Sequence, residues 1–187
     1  AQKIRYQYRV SLDSEEKGID LTKTQYLRIY GERTKKSGYA TLAPAKAGLT
    51  AGAKVLRWED ANIQGLSKAK KGAVLTFTRE NANQPTQVFL TDATLSTSKQ
   101  LTENTPDAGK YAWSAGVKLV DYVTTKGDSL QAALILPAGY VEGKQYPTVV
   151  YYYEKLSQTL HNWSNPAYSG TGWSPSVYTS NGYAVLI

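Results

Sequence analysis

The sequence predicts a mainly β chain that passes, near residue 117, into the first strands and helix of an α/β sheet. Three observations carry this expectation. Alternating or β-branched segments bounded by turn residues recur about every ten to fifteen residues. Nothing before residue 117 sustains a helical period. After it, a strand pair is followed by an apolar run, a framed helix and a second apolar run, the pattern that opens a parallel sheet.

The first segment, Ile4 to Val10, alternates strictly, with Ile4, Tyr6, Tyr8 and Val10 on one face and Arg5, Gln7 and Arg9 on the other. It predicts a strand with one side buried. Gln25 to Tyr30, ended by Gly31, is a second strand. Tyr39 to Leu42 is a third, closed by Pro44 and a loop of small residues, and Lys54 to Trp58 is a fourth. Ala73 to Arg79 and Gln87 to Thr91 follow. A series of hairpins of this kind fits a sandwich, a barrel or a propeller.

Beyond the boundary at Ala112 to Val117, Lys118 to Thr124 and Leu130 to Leu136 read as a hairpin turning at Thr125 to Asp128. Thr148 to Tyr153 is a nearly continuous apolar and aromatic run, which predicts a central strand covered on both faces. Ser174 and Pro175 supply an N-cap and a first helical position, and Gly182 a C-terminal stop. They frame a short helix, Pro175 to Asn181, before a buried strand from Tyr183 to Ile187.

Composition narrows the function. Hydrophobic residues make up 41% of the 187, consistent with a packed core. Fifteen tyrosines against two phenylalanines suit half-buried strands, where the ring packs and the hydroxyl reaches water. The net charge of +7 is scattered, and its densest group, Lys68 to Lys71, occupies a turn before Gly72. A nucleic-acid surface is therefore not expected. Without a long apolar stretch, neither is a membrane span. Cysteine is absent, which removes disulfides and thiolate metal sites. No phosphate-binding glycine loop and no metal-ligand spacing appears, so no cofactor is expected. The chain begins at Ala1 and has no methionine, as a processed or excerpted polypeptide would. Together with the missing cysteines this leaves the compartment open, leaning to the periplasm or to secretion.

The segment Leu119 to Leu136, then Pro137 to Tyr140, Tyr146 to Val150, Ser157-Gln158 and Gly182 to Leu186, resembles the start of the catalytic domain in the prolyl oligopeptidase family. Leu75 to Glu80, Val88 to Leu90, and Leu101, Thr102 and Asn104 resemble the last blade of that family's propeller. The resemblance covers roughly residues 73 to 187, and residues 1 to 72 fit a propeller by strand pattern alone; together they imply the C-terminal part of a β-propeller in residues 1–116 and the N-terminal part of an α/β-hydrolase domain in residues 117–187. It implies a serine peptidase acting on short peptides, completed by the remainder of a parent chain, and leaves oligomerisation open. The rival class is a non-catalytic β-rich module that binds carbohydrate or peptide through aromatics.

Acyl transfer requires a nucleophile, a base held by a carboxylate, and donors for the oxyanion. The G-x-S-x-G elbow is absent, and its near match Gly48 to Gly52, centred on Thr50, precedes a strand rather than a helix. The lone histidine, His161, lies ahead of any place for the serine, contrary to the order of this fold. The nucleophile, acid and histidine are therefore expected outside these residues, and residues 1–187 alone are expected to be inactive and to fold poorly. The resemblance implies one site element, Tyr153, as an oxyanion donor at the end of the first parallel strand. Glu154 follows where many members are glycine-rich, and it is a candidate for binding a substrate amino group. Asn162-Trp163-Ser164 matches a glycosylation acceptor. Trp58, Trp113, Trp163 and Trp173 lie in four separate segments, which favours packing over a shared stacking platform.

Overall fold

A computed structural model describes residues 3–44, 52–104, 109–164 and 173–187. Two compact units divide the chain: Ala1–Arg79 with Thr86–Glu103, and Glu80–Pro85 with Asn104–Ile187.

The first unit holds one four-stranded sheet and most of a second, each running in sequence order. Strands β1 (Ile4–Val10), β2 (Gln25–Gly31), β3 (Ser37–Leu42) and β4 (Lys54–Glu59) form an antiparallel sheet in the order β1-β2-β3-β4. Strands β5 (Asn62–Lys68), β6 (Leu75–Asn81), β7 (Gln84–Thr91) and β8 (Ser98–Gln100) form the other, also neighbour to neighbour. Six of these strands follow the sequence pattern; β5 and β8 do not. In β5 the buried residues are Ile63 and Leu66, three apart, so the alternation is broken. Gly65 sits between them at φ +66°, a left-handed conformation that inserts an extra residue as a bulge does. Strand β8 is three residues long and wholly exposed, so it has no apolar pattern to show.

The expectation of a buried face on β1 is overturned, because Tyr6 is 51% and Tyr8 55% exposed. Strand β1 lies at the sheet edge, and its register against β2 shifts between these tyrosines. An alternating pattern predicts two faces, but only a neighbouring layer buries one of them.

The core of this unit is Tyr39, Ile63, Leu66, Leu75, Phe77 and Leu95. Tyr39 is 1% exposed, and its hydroxyl accepts the Leu66 amide at 3.1 Å. Loss of solvation pushes its pKa up to about 12. Phe77 stacks on Phe89 at 5.4 Å between ring centroids, and the Arg57 guanidinium lies 4.7 Å from the Phe77 centroid. Arg28 is 6% exposed, and burial lowers its pKa. Its guanidinium donates to the Ile29 carbonyl at 3.0 Å and to Asn62 Oδ1 at 3.3 Å.

The second unit is a mixed sheet in the order β11-β12-β10-β9, built from β9 (Gly116–Val123), β10 (Ser129–Leu136), β11 (Thr148–Val150) and β12 (Ala184–Leu186). Strands β9 and β10 are antiparallel across the predicted turn, where the Thr124 amide donates to the Asp128 carbonyl at 2.9 Å. Strand β12 lies antiparallel to β10 and parallel to β11. The helix α1 (Pro175–Ser180) joins the two parallel strands. Ser174 is its N-cap by position, but the hydroxyl makes no capping bond. Asn181 is the C-cap, and Gly182 follows at φ +84°, the left-handed residue that ends many helices.

The triple-tyrosine run departs from expectation. Strand β11 covers only Thr148–Val150 and lies at the edge of its sheet among the described strands. Val150 is 59%, Tyr152 87% and Tyr153 68% exposed, so the run is not covered on both faces. Pairing ends where the Tyr151 amide donates to the Leu186 carbonyl at 2.9 Å.

Candidate functional site

In open sheets containing parallel strands, ligands gather at the carboxyl ends of those strands, because the loops diverge there. In the second unit that end is occupied by Tyr151 to Glu154. Tyr151 is held by stacking on Trp173, with centroids 4.5 Å apart and planes at 15°. Trp173 in turn lies against Tyr178 of α1 at 5.0 Å. This stack fixes the root of the loop to the helix that follows it. The next two tyrosines are free of it and project into solvent.

Tyr153 lies beyond the end of β11 at Val150 and is 68% exposed. Glu154, directly after it, is exposed and adopts φ +52°. For a residue with a Cβ this conformation costs about 1–2 kcal/mol, and glycine would hold it without strain. The turn thus has the backbone shape that glycine supplies, with a carboxylate added.

His161 follows a single 3₁₀ turn, Ser157–Thr159, and is half-buried. The near-match centre Thr50 lies outside the described residues. Among the described residues no group of three or more histidine, cysteine, aspartate or glutamate side chains could hold a metal ion. None of the described helices is long and apolar enough to cross a membrane.

The tryptophans are partly gathered. Trp113 and Trp163 lie 5.4 Å apart at a tilt of 36°, and Tyr111 meets Trp113 edge-on at 5.6 Å. They border a cavity of about 440 Å³ whose apolar wall includes Val117, Ile135 and Leu160. Nothing local in the sequence signals this group, since Trp163 is distant in the chain from Tyr111 and Trp113 and meets them only after folding. The Tyr151–Trp173 stack is equally invisible in sequence.

These features define a class: antiparallel four-stranded sheets followed by a mixed sheet that opens with a hairpin and a strand–helix–strand crossover. Particular solved structures share it. The AtxE2 isopeptidase matches 90% of this chain with a TM-score of 0.62 at 18% identity. A post-proline cleaving enzyme from Rickettsia typhi matches 100% of it with a TM-score of 0.55 at 11% identity. The acylaminoacyl peptidase of Pyrococcus horikoshii matches 88% with a TM-score of 0.50 at 13% identity. At such identities the likeness is one of fold. The chain spans 24%, 24% and 23% of those three chains respectively. No protein-family model matches the sequence. No curated protein matches it.

Proposed function

We propose that this chain is part of a serine peptidase of the prolyl oligopeptidase kind, hydrolysing short peptides through an acyl-serine, with the nucleophile, acid and base outside these residues. The observation that carries the reading is the parallel pairing of β11 with β12, from Thr148↔Ala184 to Val150↔Leu186, next to an antiparallel hairpin. It supports the opening of an α/β-hydrolase sheet in residues 117–187. The two in-order four-stranded sheets before it support successive propeller blades, since such a sheet is the repeating unit of a propeller. The peptidase neighbours of the same architecture support the activity.

In this reading Tyr153 donates its hydroxyl to the oxyanion that develops on the attacked carbonyl. A phenol in water competes with solvent for that role, so it acts only once substrate and the rest of the site cover it. Glu154 meets a substrate amino group from the neighbouring position. The test is hydrolysis of aminoacyl- and prolyl-linked chromogenic substrates by the chain extended with its native downstream residues. Turnover abolished by a serine-directed inhibitor is expected there, and none from residues 1–187 alone. Turnover by residues 1–187 alone, or an extended chain without turnover, refutes the assignment.

The Trp113–Trp163–Tyr111 group favours a second reading, a non-catalytic module binding carbohydrate or peptide on aromatic surface. It predicts a ligand-dependent change in tryptophan fluorescence that substitution of Trp163 removes, in a chain whose native continuation contains no G-x-S-x-G.

A further inference from the structure

The second unit contains a cavity of about 440 Å³ that the candidate site does not use, since neither Tyr153 nor Glu154 lines it. Its walls include the β9–β10 hairpin, the segment after the 3₁₀ turn, and α1. Leu160 and Ala133 are buried, whereas Val117, Ile135 and Trp163 are only half-buried, so apolar surface faces the open space. Trp113 and Trp163 lie against each other at 5.4 Å and present one aromatic wall rather than a slot between two rings. Sites for small molecules typically hold about 300–1,000 Å³, so this volume suits a ligand of one or two rings.

No charged side chain lines the cavity among the described residues. The absence is built into the chain. Charged residues are 20% of the whole, yet Leu156 to Ile187 contains no aspartate, glutamate, lysine or arginine. That stretch supplies both the wall after the 3₁₀ turn and the wall from α1. An ion entering such a site loses its water without meeting a counter-charge, and apolar contact does not offset that loss. The hydroxyls narrow the ligand further. Ser114 Oγ donates to the Leu136 carbonyl at 2.7 Å, Thr159 Oγ1 to the Leu156 carbonyl at 2.8 Å, and Thr179 Oγ1 to the Ser176 carbonyl at 3.4 Å. With their hydrogens engaged, these groups offer a ligand lone pairs only.

We infer that the cavity binds an uncharged aromatic compound with a single hydrogen-bond donor, such as an aryl alcohol, a phenol or an indole. The ring lies on the Trp113–Trp163 wall, and the donor reaches one of the engaged hydroxyls. The inference uses only the walls of this cavity and does not rest on the peptidase reading. It also differs from the carbohydrate reading. A sugar carries hydroxyls around its whole rim, and Val117, Ile135 and Leu160 leave them without partners.

The test is fluorine NMR of residues 1–187 with 4-fluorobenzyl alcohol, 4-fluorobenzoate and 4-fluorobenzylamine at neutral pH. The probes share one ring and carry a neutral, a negative and a positive head group. Amidation at Ile187 keeps a terminal carboxylate out of the wall. Saturable broadening of the alcohol is expected, with a Kd of about 1 mM or tighter. Both ions are expected to bind at least about tenfold more weakly. Overhauser contacts from the ring to the methyl groups of Ile135 and Leu160 locate the probe and need no variant. Ile135→Trp fills the cavity from β10 and is expected to abolish binding in a chain that keeps its chemical-shift dispersion. An alcohol that does not saturate, ions bound as tightly as the alcohol, or contacts to other methyl groups overturn the proposal. So does a folded Ile135→Trp chain that still binds. Displacement of the alcohol by an equal concentration of glucose overturns it in favour of a sugar site.

Discussion

Replacing Tyr39 with phenylalanine keeps the ring in the core of the first unit and removes one oxygen. That oxygen is the acceptor for the Leu66 amide at 3.1 Å, so the variant leaves a donor inside the protein without its partner. The cost at neutral pH is about 1–3 kcal/mol. The same oxygen makes stability depend on alkaline pH. The phenol's folded pKa is raised from 10.0 to about 12 by burial, so the folded state holds its proton where the unfolded chain releases it. A raised pKa gives stability that is fully present below pH 10 and is lost as pH climbs towards 12. Two pH units correspond to roughly 3 kcal/mol. Urea unfolding followed by tryptophan fluorescence, from about pH 8 to about pH 12, measures both effects. The variant starts less stable and loses less, so its stability curve converges on that of the unsubstituted protein above pH 10. Tyr30, also raised to about 12 by burial, is present in both proteins and cancels. Curves that stay parallel through the alkaline range would show that Tyr39 ionises freely in the folded state, refuting the burial argument.

Gly38→Ala places a Cβ 1.8 Å from the Arg57 carbonyl oxygen, a backbone atom that cannot rotate away. Forcing β3 and β4 apart is expected to cost at least about 2–3 kcal/mol, read as a lowered urea midpoint with unchanged slope. Glu59 accepts from Arg57 Nη2 at 2.5 Å and from Arg79 Nε at 2.7 Å, with all three side chains largely shielded. Glu59→Gln removes the charge that both guanidinium groups share and is expected to cost about 1–3 kcal/mol, declining in high salt. Under the proposed function, Tyr153→Phe in the chain extended by its native downstream residues is expected to lower kcat by about 10²–10³ with little change in KM, as loss of a single oxyanion donor does. An unchanged kcat removes Tyr153 from the site.

Much of the strand order was legible because alternation and turn residues act locally. Ile4 to Val10, Gln25 to Tyr30 and Leu130 to Leu136 are strands in the places their patterns indicate. The failures share one cause. The buried face predicted for β1 and the two-sided burial predicted for Thr148 to Tyr153 each assumed a neighbour that the residues themselves cannot specify. Strand β5 escaped notice because Gly65 changes the phase between Ile63 and Leu66, and a phase change looks like an absence of pattern. At the candidate site, Tyr153 was singled out by the family resemblance of its segment, which is local in the chain. The stack of Tyr151 on Trp173 could not be, since those residues are far apart in the chain.

The sequence alone determined most of the segments that extend, and where the helix starts and stops. These depend on local backbone preference and side-chain period, which neighbouring residues set between them. The tertiary structure decided that β11 lies at the edge among the described strands, that Val150 and Tyr152 are exposed, and which aromatics meet. Those outcomes depend on which distant segment arrives alongside, and no local pattern encodes that arrival.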